Sequence, residues 1–113
     1  MQNITVAELA EKLKSDETFI LLDVRELTEL NYAKLTDDRL EVTPMSRLAA
    51  EGTAALSESA QEQDSIIYVL CHHGTRSMQV TAWLGQQGWR NVINVHGGID
   101  AYARQVDQTV GLY

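Results

Sequence analysis

The residues of this sequence that could do chemistry concentrate in one short segment, residues 71–77, which reads Cys-His-His-Gly-Thr-Arg-Ser. Cys71 is the only cysteine of the chain and directly ends a continuous apolar run, so we place it at the carboxyl end of a buried strand. Gly74 permits a backbone conformation with positive φ, which lets loop amides point inward. The segment therefore has the composition of a loop that surrounds a thiol with hydrogen-bond donors.

The helix predicted after this loop adds to the effect. Its positive N-terminal end faces the loop, and Arg76, His72 and His73 contribute cationic or donor groups. Such surroundings stabilise a thiolate, and a thiolate held by amides is a nucleophile that can carry a negatively charged adduct. We interpret Cys71 as a catalytic nucleophile. The loop residues predicted to bind its adduct are His72, His73, Gly74, Thr75, Arg76 and Ser77.

Other readings of these residues also have a physical basis. A free cysteine is most often a small core residue, although the glycine loop favours the nucleophile here. The histidines are equally well explained as surface loop residues. They form a poor metal site, because adjacent residues rarely aim at one ion and no third ligand is near in sequence. One cysteine also excludes a disulfide framework and a Cys-x-x-Cys pair. We predict neither a metal nor a cofactor.

Strands and helices must position this loop. Apolar runs predict strands at Phe19–Val24, Ile66–Cys71 and Val92–Val95, with a weaker one at Leu40–Val42. Residues 6–13 carry apolar side chains at i, i+3, i+4 and i+7, which predicts a helix. The other predicted helical segments are residues 80–84, residues 99–106, a looser pattern at residues 48–56 and a short helix at Glu26–Ala33.

Alternation of strands and helices predicts a single α/β domain over residues 1–113, with helices on both faces of an open parallel sheet. We expect about four or five strands. Ligands of such sheets bind beyond the carboxyl ends of the strands. That rule points to three segments, Asp23–Arg25, Cys71–Arg76 and His96–Gly98.

The composition limits the function classes. Sixteen acidic residues against nine Lys and Arg give a net charge of −7, which disfavours nucleic acid as the main partner. No apolar run approaches the ~20 residues of a membrane helix, and residues 1–14 lack the apolar core of a signal peptide. A lone thiol fits a reducing compartment. We expect a cytoplasmic monomer without nucleic-acid or membrane partners.

Four segments in order resemble the motifs of single-domain rhodaneses, a family of sulfurtransferases. Asp23–Glu26 resembles the family's Asp-Val-Arg-Glu segment, and Cys71–Ser77 matches its active-site loop. Pro44–Met45 lies where the family has a proline segment, and Gly97–Tyr102 resembles its Gly-Gly-x-x-x-Trp segment. The matches span residues 19 to 104 and therefore nearly the whole predicted domain.

The resemblance implies a function. Cys71 attacks the outer sulfur of a donor such as thiosulfate or a persulfide, holds it as a persulfide, and passes it to cyanide, a thiol or a protein cysteine. The amides of the loop hold the persulfide. Asp23 and Arg25 resemble residues that support the site, and we interpret them as a structural ion pair that can also involve Glu29.

Two departures from the family bear on the donor. Leu35–Arg47 replaces the usual Gly-His-Ile-Pro-Gly-Ala stretch, which alters the rim of the site. His72 and His73 replace the permanent positive charges that many thiosulfate-using members carry, and histidine is only partly charged near neutral pH. We therefore expect thiosulfate to bind better as the pH falls through about 6.5, if both imidazoles line the mouth of the pocket.

Competing functions remain open from the sequence. A non-catalytic sulfur carrier or a partner-binding module would keep the same loop. Cysteine phosphatases also use a thiolate in an anion-binding loop, but they have five residues between Cys and Arg, whereas four separate Cys71 from Arg76. The shorter loop suits a sulfur atom better than a tetrahedral phosphate.

Overall fold

The computed structural model describes residues 1–113 as an α/β domain built on one five-stranded parallel sheet. The strands are β1 (Gln2–Ile4), β2 (Ile20–Asp23), β3 (Leu40–Val42), β4 (Ile66–Leu70) and β5 (Asn91–Val95). The helices are α1 (Val6–Leu13), α2 (Met45–Glu51), α3 (Thr75–Gln86) and α4 (Gly98–Gln105). Short 3-10 turns cover Leu27–Asn31, Gly52–Ala55, Ser59–Gln61 and Gln108–Val110. The strand order is β1-β5-β4-β2-β3, which confirms the predicted open parallel sheet.

The sheet buries both of its faces. Leu22 of β2 and Val69 of β4 belong to a core on the side of α2 and α3. Leu21 and Leu70 point the other way and join a core on the side of α1 and α4. Strand side chains alternate between faces, so a strand buried on both sides needs an uninterrupted apolar run. This confirms helices on both faces.

Two details differ from the sequence-based expectation. The structure adds β1, a three-residue edge strand that pairs with β5. The segment predicted as a short helix at Glu26–Ala33 is a 3-10 turn over Leu27–Asn31, which begins after a reciprocal hydrogen-bonding pattern between Glu26 and Glu29.

None of the helices has both the length and the hydrophobicity that crossing a membrane requires.

The carboxyl ends of the central strands meet at one edge of the sheet. There, the amide of Val24 donates to the carbonyl of Leu70 at 2.9 Å, and the amide of Ile99 donates to the carbonyl of Cys71 at 2.9 Å. These bonds join the segments that follow β2, β4 and β5. The fold thus brings the three predicted site segments together.

Candidate active site

The thiol of Cys71 lies inside a ring of hydrogen-bonding groups. Its Sγ accepts hydrogen bonds from the amides of Gly74 at 3.1 Å and Ser77 at 3.3 Å, and it donates to the hydroxyl of Ser77 at 3.3 Å. The residue is only 1% exposed. An apolar groove of about 300 Å³ lies between α2 and α3, but Cys71 does not line it. A thiolate here would be held by two backbone donors near the N-terminus of α3.

Glycines shape the loop around the sulfur. Gly74 has φ of 103°, and a Cβ on it would lie 3.1 Å from the backbone nitrogen of Gly97. Gly98 has φ of 63°, and a Cβ there would lie 2.6 Å from the carbonyl oxygen of Cys71. The close approach lets the first amides of α4 bind the carbonyls of Cys71 and His72. Those carbonyls are thereby engaged by α4, while the amides of Gly74 and Ser77 bind the sulfur.

Ser77 continues into a buried polar chain that the sequence analysis missed. Its hydroxyl donates to Oδ1 of Asn94 at 2.6 Å, and Nδ2 of Asn94 donates to Oδ1 of Asn3 at 2.9 Å. Asn94 is 3% exposed within β5. The sequence did carry a signal for this chain, because Asn94 interrupts the apolar run Val92–Val95. A buried side-chain amide requires hydrogen-bond partners, so its presence in a strand predicts a polar contact.

Arg76 closes the loop but does not present a free charge. Its guanidinium makes two hydrogen bonds to the carboxylate of Glu29, at 2.7 and 2.8 Å. This pairing lowers the pKa of Glu29 to about 2 and raises the pKa of Arg76. Both side chains are partly shielded from solvent. Arg76 therefore fixes the end of the loop to the turn after β2, and Glu29 largely neutralises its charge.

Asp23 and Arg25 form a completely buried ion pair beneath the site. The closest contact, between Nη2 of Arg25 and Oδ2 of Asp23, is 2.7 Å, and the two side chains are 0% and 1% exposed. Arg25 also donates to the carbonyl of Ala33 and to the hydroxyl of Tyr113. Glu29 does not bind this pair directly: it pairs with Arg76 and is linked to Arg25 through the Tyr113 hydroxyl.

The two histidines of the loop differ in environment. The ring of His72 is half-buried and stacks on Tyr113, with centroids 3.7 Å apart and planes 3° from parallel. His73 is exposed, and its ring centroid lies 3.8 Å from that of His72 with the two planes tilted by 32°. Burial, followed by the proximity of His73, lowers the pKa of His72. The remaining predicted loop residue, Thr75, begins α3 and is exposed.

The fold supplies a third potential metal ligand that the sequence order hides. Asp100, in the first turn of α4, brings a carboxylate oxygen within 4.8 Å of one nitrogen from each of His72 and His73. The two imidazoles belong to adjacent residues, which rarely aim at one ion, and their ring centroids are only 3.8 Å apart with the planes tilted by 32°. Asp100 also accepts a hydrogen bond from Arg104 at 3.0 Å. This arrangement suits a polar surface cluster better than a metal centre.

The comparisons with known proteins agree with this geometry. The family profile described as "Rhodanese-like domain" matches residues 5–105. The chain is 37% identical over 117 residues to "Rhodanese-like/PpiC domain-containing protein 12, chloroplastic" of Arabidopsis thaliana. This match covers the whole of the present chain and only 38% of the length of that relative. It is 34% identical over 104 residues to a protein named "Sulfurtransferase" of Allochromatium vinosum, with 92% and 90% of the two chains covered.

Among solved structures, the crystal structure of a rhodanese-related protein from Thermoplasma volcanium superimposes with a TM-score of 0.75. The sequence identity is 31%, and the match covers 94% of each chain. The family profile, relatives over 30% identical and the shared parallel sheet all point the same way. This chain belongs to the rhodanese-like domain family.

Proposed function

We propose that this chain is a sulfurtransferase that carries sulfane sulfur on Cys71. The observation that carries the proposal is the position of the chain's one thiol, whose Sγ accepts hydrogen bonds from the amides of Gly74 and Ser77 beside the N-terminus of α3. The relative named as a sulfurtransferase supports the same chemistry. A lone reduced thiol also suits a reducing compartment such as the cytoplasm.

The proposed reaction has two displacements at sulfur. The Cys71 thiolate attacks the outer sulfur of a donor; a new S–S bond forms, the donor's S–S bond breaks, and its electron pair leaves with a thiolate or, from thiosulfate, with sulfite. An acceptor nucleophile then attacks the outer sulfur of the Cys71 persulfide, which releases the Cys71 thiolate. The amides of Gly74 and Ser77 stabilise the negative sulfur between the two steps.

The charges around the loop favour a donor of low charge. Arg76 is paired with Glu29, Asp100 lies beside His73, and the pKa of His72 is lowered by burial. No unpaired permanent cation therefore faces a dianion at neutral pH. We propose that a persulfide, on a small thiol or on a protein cysteine, is a better donor than thiosulfate, and that the acceptor is a thiol, a protein cysteine or cyanide.

We expect the kcat/KM for 2-hydroxyethyl persulfide, which carries at most one negative charge, to exceed that for the thiosulfate dianion by at least about tenfold at pH 7.5 and low ionic strength, a difference of about 1.4 kcal/mol. The measurement is thiocyanate formation with cyanide as the common acceptor. Added salt should reduce the ratio of the two kcat/KM values, because it screens the repulsion between the thiosulfate dianion and the acidic protein. A thiosulfate rate equal to the persulfide rate at low salt would contradict the proposed donor preference.

The pH dependence of thiosulfate binding should show whether His72 and His73 take part in it. Protonation adds positive charge at the loop, so the Michaelis constant for thiosulfate should fall between about pH 7.5 and 6. Because the pKa of His72 lies below its ordinary value, the His72 contribution should appear at the acidic end of that range. The double change His72→Gln, His73→Gln should flatten the trend, whereas the control His96→Gln should not. Equal trends in the double variant and wild type would exclude the histidines from binding.

A passive sulfur carrier is the alternative use of the same site. It would form the Cys71 persulfide but release sulfur only to its specific partner. Repeated turnover with cyanide supports the enzyme, and a single stoichiometric transfer supports the carrier. Turnover of aryl phosphates with no sulfur transfer would instead support the phosphatase alternative.

A further inference from the structure

Tyr113, which the sequence analysis did not single out, contacts several groups around the loop. Its hydroxyl accepts a hydrogen bond from Nη1 of Arg25 at 3.1 Å and donates one to Oε1 of Glu29 at 2.8 Å. Its ring stacks on His72 with centroids 3.7 Å apart. One side chain thus joins the buried ion pair, the carboxylate that holds Arg76, and the imidazole next to the nucleophile.

These contacts reach both ends of the loop that follows Cys71. His72, at the start of the loop, is held directly by the ring. Arg76, near its end, is held through Glu29, which the Tyr113 hydroxyl binds. The residues whose amides bind the sulfur, Gly74 and Ser77, lie between or next to these two anchors.

The segment before Tyr113 is anchored by its own backbone. The amide of Lys34 donates to the carbonyl of Val110 at 3.0 Å. Gly111 has φ of 104° and passes so close to Tyr32 and Ala33 that a Cβ would collide with the carbonyl oxygen of Tyr32. The position of Tyr113 therefore does not depend only on its side chain, so side-chain substitutions can test the contacts separately from the path of the segment.

We propose that Tyr113 is a positioning residue of the site, an inference that rests on the proposed sulfurtransferase function. Its ring fixes His72, and its hydroxyl fixes the pair of Glu29 and Arg76. The loop is thereby kept rigid while an outer sulfur is added to Cys71 and removed again. Preorganised amides stabilise charge without reorganisation during the reaction, so a looser loop transfers sulfur more slowly.

The stacked ring has a consequence that is independent of catalysis. Desolvation lowers the pKa of His72, and the Tyr113 ring covers one face of that imidazole. The titratable groups that face His72 are His73 on the loop, Asp100 on α4, Glu29 after β2, and Tyr113 itself. Removal of the ring should expose His72 and raise its pKa toward the ordinary value of about 6.5.

Two variants separate the hydroxyl from the ring. Tyr113→Phe keeps the stack but removes both hydroxyl bonds; we expect kcat/KM to fall roughly threefold to tenfold while the His72 pKa stays low. Tyr113→Ala removes the stacked ring as well as the hydroxyl hydrogen bonds, so kcat/KM should fall further and the His72 pKa should rise. Tyr32→Ala is the control, because Tyr32 is exposed and its ring contacts Tyr113 at a centroid distance of 5.7 Å. In this variant both kcat/KM and the His72 pKa should stay as in wild type.

The readouts are sulfur transfer to cyanide, the melting temperature, and the His72 pKa from NMR titration, with the resonance assigned by His72→Gln. Wild-type kcat/KM in both Tyr113 variants, together with an unchanged His72 pKa in Tyr113→Ala, would overturn the proposal. So would activity losses that follow only the loss of folded protein. If the wild type transfers no sulfur from any donor, the proposed function fails, while the His72 titration still decides whether Tyr113 holds the loop.

Discussion

Replacing Cys71 by serine is expected to abolish sulfur transfer, with kcat falling by at least about 10³-fold. No other thiol exists in the chain to take over the reaction, and a serine hydroxyl is neither ionised near neutral pH nor able to form a persulfide. The measurement is thiocyanate formation from a persulfide or thiosulfate. Serine is of similar size and can use the same amides of Gly74 and Ser77, so the fold should persist.

The melting temperature and circular dichroism of Cys71→Ser are the controls for folding. A folded variant that keeps activity within tenfold of wild type would contradict covalent catalysis by Cys71. A folded but inactive variant would place the whole reaction on this thiol.

Arg25→Met should lower the free energy of unfolding by about 3–5 kcal/mol, because it leaves a buried carboxylate without its partner. Arg25 is 0% exposed and donates to Asp23, the Ala33 carbonyl and Tyr113. The measurement is denaturant unfolding at neutral pH, read as the midpoint and slope.

Two comparisons isolate the effect of burial. Arg47→Met breaks an exposed pair with Glu51, in which the side chains are 51% and 48% exposed, and should cost less than about 1 kcal/mol. The double change Asp23→Leu, Arg25→Met removes both charges and should be less destabilised than Arg25→Met alone. If Arg25→Met costs no more than Arg47→Met, the buried pair does not support the site as described.

The features that could be predicted from the sequence are those that depend on residues close together in the chain, namely the buried strands and the cysteine loop. The continuous apolar runs identified β2 and β4, because both faces of these strands are buried. Cys71 followed by Gly74 and a helix predicted the loop, because a left-handed glycine at the start of α3 turns the amides toward the sulfur. These features depend on residues close together in the chain.

The features that sequence reasoning missed depend on distant residues. β1 has only three residues, two of them exposed, and it exists because it pairs with β5 at the far end of the chain. Glu29 lies four positions after Arg25, yet its partner is Arg76, 47 positions away. Tyr113 meets Arg25 across 88 positions. The periodicity of apolar residues does not predict such contacts, because the residues come together only when the sheet has folded.

The central claim, that Cys71 carries sulfur, is tested most directly by the intact mass of the protein. Wild-type protein is incubated with an excess of persulfide donor, desalted and measured before and after addition of cyanide. The account predicts a mass gain of one sulfur atom in wild type, its loss on addition of cyanide, and no gain in Cys71→Ser. A wild-type mass that does not change, or an equal gain in Cys71→Ser, would contradict it.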